Sequence, residues 1–205
     1  MSDISTHYGG SLLALKGKNS IVLVEDKRLG MSSFTVNTER TKVVQINKKA
    51  FLGFTGFLPD AQELVKQVKA HVELFELNVD REMDVVELKN LISFMLYEKR
   101  LKGYYYIAPM VVGFDDKNEP RAFSMDCLGC STEYNYVTTG TAEHNLTGLA
   151  ETLFVEGMDS EDLFTCAVQI FLNAVDRDAL SGWGADCFII EREKVTKRTV
   201  EGRND

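Results

Sequence analysis

Blocks of apolar residues with period two alternate along this chain with blocks of period 3.6, and that alternation restricts the fold more than any other feature. Between residues 10 and 54, apolar and β-branched runs at 11–15, 21–24, 42–46 and 51–54 are broken by Gly17-Lys18-Asn19, Leu29-Gly30 and Asn47-Lys48-Lys49, which predicts a meander of short antiparallel strands. After Pro59-Asp60, the residues Ala61, Leu64, Val65, Val68, Val72 and Phe75 share one helical face, and Lys66, Lys69 and Glu73 fall outside it. A second helix is expected from Asp84, where Asp84-Val85-Val86-Glu87 reads as a capping box ahead of Leu88, Leu91, Ile92 and Met95, and Lys102-Gly103 ends it. Strands return at 109–114, 121–125 and 134–137, with Asp115-Asp116-Lys117-Asn118 as a hairpin turn. Two more helices follow, one through Leu146, Leu149 and Leu153, the other from Asp159 with Leu163, Ala167, Ile170, Phe171 and Ala174 inward; final strands surround Ile189 and Val195. The resulting order of strands, two helices, strands, two helices and strands suits stacked antiparallel sheets covered by helix pairs, and periodicity alone also admits other α+β arrangements.

Several classes of function are excluded by composition. With 31 acidic against 23 basic residues and a net charge of −8, the chain lacks the basic stripe that a phosphate backbone requires, so no nucleic-acid partner is expected. No segment approaches 18 uninterrupted apolar residues, and the first eight residues carry neither a basic nor an apolar targeting block, so the expectation is an intracellular chain with no membrane partner. Its length of 205 residues favours one domain. Cys127-Leu128-Gly129-Cys130 has zinc-knuckle spacing, but His7, His71 and His144 lie far apart and supply no second pair of ligands.

The densest cluster of polar chemistry is the helix-to-strand junction Asn173-Ala174-Val175-Asp176-Arg177-Asp178-Ala179-Leu180-Ser181-Gly182-Trp183-Gly184. Locally, Asp176, Arg177 and Asp178 read as helix-end charges that pair with each other, with Gly182 and Gly184 allowing the turn. The run from Arg177 to Gly182 also resembles a signature of the proteasome β-type subunits, a family with an N-terminal-threonine hydrolase fold. Matching pieces precede it in order: the Gly9-Gly10 strand start, Val24-Glu25-Asp26-Lys27-Arg28, Lys42-Val43, the Gly53 and Gly56 turn, and Gly140-Thr141-Ala142. Tyr97 to Arg100, Leu128-Gly129-Cys130 and the run from Leu172 to Ala179 are similar to one branch of that family.

The resemblance implies a four-layer αββα sandwich, with residues 1–9 as a short unprocessed extension and 10–205 as a single β-type domain. Active members attack with an N-terminal threonine whose own α-amine acts as base. In this sequence the resemblance assigns the lysine role to Lys42, an orienting carboxylate to Asp26, the oxyanion glycine to Gly56, the turn hydroxyl to Thr139, and the distal carboxylate and hydroxyl to Asp178 and Ser181. The nucleophile position falls on Gly10, which has no hydroxyl; Thr6 lies four residues upstream, and Ser11 is one residue out of register, on the opposite strand face. The expectation is therefore a non-catalytic subunit. It would join other β subunits in a seven-membered ring, against an opposing β ring and an α ring, in cytoplasm and nucleus. Asp126 and Cys130 match positions that line a neighbour's substrate pocket, and the Tyr104-Tyr105-Tyr106 loop is expected at a subunit contact. No cofactor is required by this reading, and a Mg2+ ion is allowed at the Val175 carbonyl, Asp178, Ser181 and the carboxyl group of Asp205. An active peptidase with an unexpected nucleophile and a free-standing binding domain on the same fold are the competing readings.

Overall fold

The computed structural model describes residues 4–203 and contains two five-stranded antiparallel sheets. The first has the order β10-β1-β2-β11-β12, built from β1 (Ser11–Lys16), β2 (Ser20–Asp26), β10 (Tyr136–Gly140), β11 (Ala185–Glu191) and β12 (Val195–Val200). The second has the order β5-β6-β7-β8-β9, from β5 (Val43–Gln45), β6 (Ala50–Gly56), β7 (Ile107–Phe114), β8 (Pro120–Met125) and β9 (Ser131–Glu133). Four helices cover them: α1 (Leu58–Val79), α2 (Val85–Lys99), α3 (Glu143–Leu153) and α4 (Ser160–Val175).

Three apolar layers separate four structural layers, which makes the fold an α+β, four-layer αββα sandwich. Leu13, Val22, Val24 and Ile189 of the first sheet pack on Leu146 of α3 and Ile170 and Phe171 of α4. Leu52 and Val111 of the second sheet pack on Leu64 and Val68 of α1 and Leu88 and Ile92 of α2. Leu12, Leu23, Phe51 and Val112 fill the space between the sheets. Alternate residues of β1 and β2 thus serve two different cores, which is why these strands read as nearly continuous apolar runs.

The capping box predicted at Asp84 is present, with the Asp84 carboxylate accepting from Val86 N and Glu87 N and Glu87 returning to Asp84 N. Asp159 caps α4 in the same manner. Three expectations are corrected. Leu29-Gly30 is no break: it belongs to β3 (Leu29–Met31), which pairs with β4 (Phe34–Asn37) in a small separate sheet. Phe34-Thr35-Val36-Asn37 alternates apolar and polar residues, but all four are exposed, so the alternation marks no buried face and the sequence reading passed over it. The strand expected at 134–137 begins only at Tyr136, as β10, and an additional strand, β9 at 131–133, precedes it on the other sheet. In the Tyr104-Tyr105-Tyr106 loop, Tyr105 is buried in the α1/α2 core, and only its two neighbours face outward.

Candidate functional site

At the open end of the sandwich, β1 begins beside the end of β2 and the start of β5. Asp26, at the end of β2, is wholly buried and accepts from Ser11 N at 2.8 Å through Oδ1, and from Arg28 N and Gly182 N at 3.2 Å through Oδ2. Lys42 Nζ lies 2.9 Å from Asp26 Oδ1 and donates to Asp26 O at 2.8 Å and Arg28 O at 2.9 Å. An ammonium carries three protons, and these three acceptors account for all of them. Lys42 and Asp26 therefore form an ion pair that is closed on itself.

Gly10 sits against this pair. Its φ is +101°, in the left-handed region, and a Cβ placed there would lie 2.3 Å from Lys42 Cε and 3.2 Å from Asp26 Oδ1. Its nitrogen is an amide that donates to Leu180 O at 3.0 Å, and its carbonyl accepts from Thr141 N at 3.1 Å. Neither a side chain nor a free amine is on hand at the position where the resemblance would place a nucleophile. The preceding segment is built into the fold: Gly30 N donates to Tyr8 O and Ser32 N to His7 O, so residues 7 and 8 run along β3. Ser11 keeps its hydroxyl turned to Ala142 N at 2.9 Å, away from Lys42.

Two groups beside this centre carry no role in the sequence reading. Arg28 is 2% exposed and donates to Thr35 Oγ1, Leu180 O, Ser32 O and Phe34 O, so the β3–β4 hairpin closes over a guanidinium bonded to neutral acceptors. Its position next to Asp26 in the Asp26-Lys27-Arg28 run was the available signal. Glu25, on the opposite face of β2 from Asp26, is 1% exposed. Its Oε2 accepts from Lys42 N and from Val43 N at 2.9 Å, and Oε1 is buried with no partner among the described residues. Burial pushes its carboxyl up to about 7, against the lowering pull of the Lys42 amide and ammonium. A glutamate in an apolar strand was the only sequence signal for it.

The distal cluster forms around Asp178. Ser181 Oγ and Thr141 Oγ1 both donate to Asp178 Oδ2, and Leu180 N donates to Oδ1 at 3.1 Å. The Thr141 hydroxyl is an addition to the pair that the sequence reading assigned, and it follows Gly140, which at φ +109° turns the chain out of β10. Thr139, the turn hydroxyl of the sequence reading, is bonded at 2.9 Å to Thr55 Oγ1 between the sheets. Asp176, Arg177 and Asp178 form no ion pair with each other among the described residues, contrary to the local reading of that run.

A cavity of about 300 Å³ opens beside Gly10, lined among others by Thr6, Thr55, Gly56, Asp126, Cys127 and Thr139. Gly56 (φ +103°) admits no side chain, since a Cβ would lie 2.4 Å from Tyr106 O. Asp126 accepts from Leu128 N and Cys130 N through Oδ1, which fixes the 126–130 turn and leaves Cys130 exposed next to it. For the metal set, Val175, Asp178 and Ser181 line one cavity, but the Val175 carbonyl accepts from Asp178 N, and Ser181 donates to Asp178. Asp205 lies outside the described residues, among which no three His, Cys, Asp or Glu side chains gather to hold a metal.

Comparison with known proteins places this geometry. The family described as "Proteasome subunit" matches residues 6–190. Proteasome subunit beta type-3 of Drosophila melanogaster is 37% identical over 204 residues, covering 98% of this chain and 99% of that protein. The Schizosaccharomyces pombe protein named probable proteasome subunit beta type-3 is 36% identical over 203 residues, with 98% and 99% covered. The Saccharomyces cerevisiae type-3 subunit is 36% identical over 207 residues, covering both chains fully.

Proposed function

We propose, from the premise that this chain belongs to the proteasome subunit family, that it is a non-catalytic β subunit of the type-3 class in the proteasome core particle. The observation that carries the non-catalytic part is Gly10: its amide is internal to the chain, and Lys42 and Asp26 fill the space a side chain would need. Covalent catalysis needs an activated nucleophile within reach of its base. Here the activating lysine is saturated by Asp26 and two carbonyls. The retained charges act as structure, fastening the start of β1, the end of β2 and the start of β5 to one another.

In this reading the subunit occupies a seven-membered β ring, faces a second β ring and an α ring, and works in cytoplasm and nucleus on proteins marked for degradation. No helix among the described residues is long and apolar enough to cross a membrane. Asp126 and Cys130, held at the turn after β8, would present an acidic wall to a neighbouring subunit's substrate pocket and favour basic side chains there. A magnesium ion at Val175, Asp178, Ser181 and Asp205 would be an accessory that braces the loop after α4 through hard oxygen ligands.

The test is size combined with mass. The natural protein should elute in a very large particle and retain residues 1–9 by intact-mass measurement. A shortened chain with a new N-terminal Thr, Ser or Cys would make it an active hydrolase, and a monomer on gel filtration would make it a free-standing domain.

A further inference from the structure

Residues 4–9 are only an uncut extension in the proposed function, yet several parts of the molecule hold them. After the short 3-10 turn at Ile4–Thr6, residues 5–8 are half-buried and Gly9 is buried. Gly9 N donates to Thr6 O at 3.1 Å, which closes the turn that directs the chain into β1. Toward the second sheet, the Tyr8 ring packs on Phe57 at the start of α1 with 5.7 Å between centroids, and Ser5 and Thr6 line the same cavity as Thr55 and Gly56 of β6. Toward the small sheet, Tyr8 O accepts from Gly30 N at 2.9 Å and His7 O from Ser32 N at 2.8 Å. Ser32 has φ +56°, a conformation disfavoured for residues other than glycine, and in it the amide gains the bond to His7.

The β3–β4 hairpin has little else to stand on. All four β4 residues are exposed, Phe34 and Val36 among them, and so is Met31. A two-stranded ribbon is marginal in water unless it packs against another element. Arg28 holds the hairpin from inside through Ser32 O, Phe34 O and Thr35 Oγ1. That hold is coupled to the extension, because Gly9 lies against the guanidinium: a Cβ at Gly9 would be 2.8 Å from Arg28 Nη1 and 2.1 Å from Leu180 O, the carbonyl to which Nη1 donates. The turn from Thr6 to Gly9 is thus part of the cover that keeps Arg28 2% exposed, and hydrogen bonds from a guanidinium to neutral carbonyls weaken when water competes for them.

We propose that residues 5–9 are a structural strap that fastens the β3–β4 hairpin over Arg28 and ties it to the start of α1, so that the order of the hairpin depends on the extension staying uncut. The Asp26–Lys42 centre is independent of the strap, since its donors and acceptors all lie at residue 11 or beyond. Removing the extension should therefore loosen one hairpin and spare the sheet beneath it, a local opening of the kind that amide exchange reads.

Hydrogen exchange on the protein in its natural assembly, comparing the full chain with one lacking residues 2–8, tests this and does not depend on what the assembly is. The shortened chain keeps Gly9 before Gly10, so no free amine is placed beside Lys42. Two lost amide bonds, about fivefold each, predict that protection at Gly30 and Ser32 falls roughly thirtyfold. The β4 amides carry the decision, because that strand pairs with β3 and their protection should fall as well, while β2 and β11 stay unchanged. Unchanged β4 protection would mean that Arg28 alone holds the hairpin, and overturns the proposal. If the shortened chain fails to fold or assemble, Tyr8→Ala decides: it removes the ring from Phe57 and keeps the backbone, and β4 protection should fall about fivefold, whereas Tyr8→Phe should leave it intact. No change in Tyr8→Ala, or an equal loss in Tyr8→Phe, removes the strap.

Discussion

Glu25 and Asp26 are neighbours on one strand, both essentially inaccessible to water, and they solve burial in opposite ways. Asp26 points to the face where β1, the loop after α4 and Lys42 converge, and there it collects three backbone amides and an ammonium. Glu25 points to the face between the sheets, where among the described residues it finds two amides for one oxygen and no partner for the other. Desolvation acts on both; the donor set differs. A buried carboxylate is tolerable when hydrogen bonds and a cation replace the lost water, and it drifts toward the neutral acid when they do not. Adjacent carboxyl groups therefore meet a full set of donors on one face and a partial one on the other.

The sharpest way to break the Asp26 side is Gly10→Thr. The new side chain must displace Lys42 and adopt a left-handed backbone, so the loss should reach roughly 5 kcal/mol or more, seen as absence of assembled particles with no new peptidase activity. Lys42→Met keeps the aliphatic stem and removes only the cation, leaving Asp26 uncompensated. Roughly 3 to 5 kcal/mol should be lost and particle yield should fall, while every peptidase activity per assembled particle stays at the unsubstituted level. Loss of one activity from correctly assembled particles would reveal an active site in this chain.

On the Glu25 side the effect is smaller and depends on pH. Because the folded carboxyl titrates near 7 and an unfolded one near 4.5, stability is fully present below the lower value and declines as pH rises through the upper. The ceiling is roughly 3 kcal/mol, and melting at pH 5.5 against pH 8 should show the decline in the unsubstituted chain and lose it in Glu25→Gln. At the distal cluster, Thr141→Val removes one of two hydroxyls on Asp178 and should cost about 1 kcal/mol by chemical denaturation, whereas Thr139→Val should leave the Asp178 cluster intact. The smallest effect belongs to Asp126→Asn, which should selectively slow cleavage after basic residues in the assembled particle with no change in stability; an equal change in all activities would remove the acidic-wall reading.

Much of this was readable in the chain itself. The capping box at Asp84 and the cap at Asp159 depend on residues within one turn, so local sequence was enough to place both helix starts. The order of periodic blocks indicated paired sheets and helices, and the Asp26, Lys42 and Asp178 motifs sat at spacings that resembled one family. What escaped was non-local. The β3–β4 hairpin leaves its apolar residues Phe34 and Val36 exposed and is organised around the buried Arg28. The turn at Gly140 brings a second hydroxyl, that of Thr141, to Asp178 beside Ser181, and residue types do not show that approach. Sequence by itself determined the four helices, most strands of the two large sheets and the missing hydroxyl at residue 10, because these follow from side-chain identity and short-range spacing. Only the tertiary structure decided that Gly10 has no room for a side chain, that Lys42 has no proton to spare, and that Glu25 is left half-satisfied beside Asp26, because each depends on which distant donors and acceptors the two sheets bring within hydrogen-bonding distance.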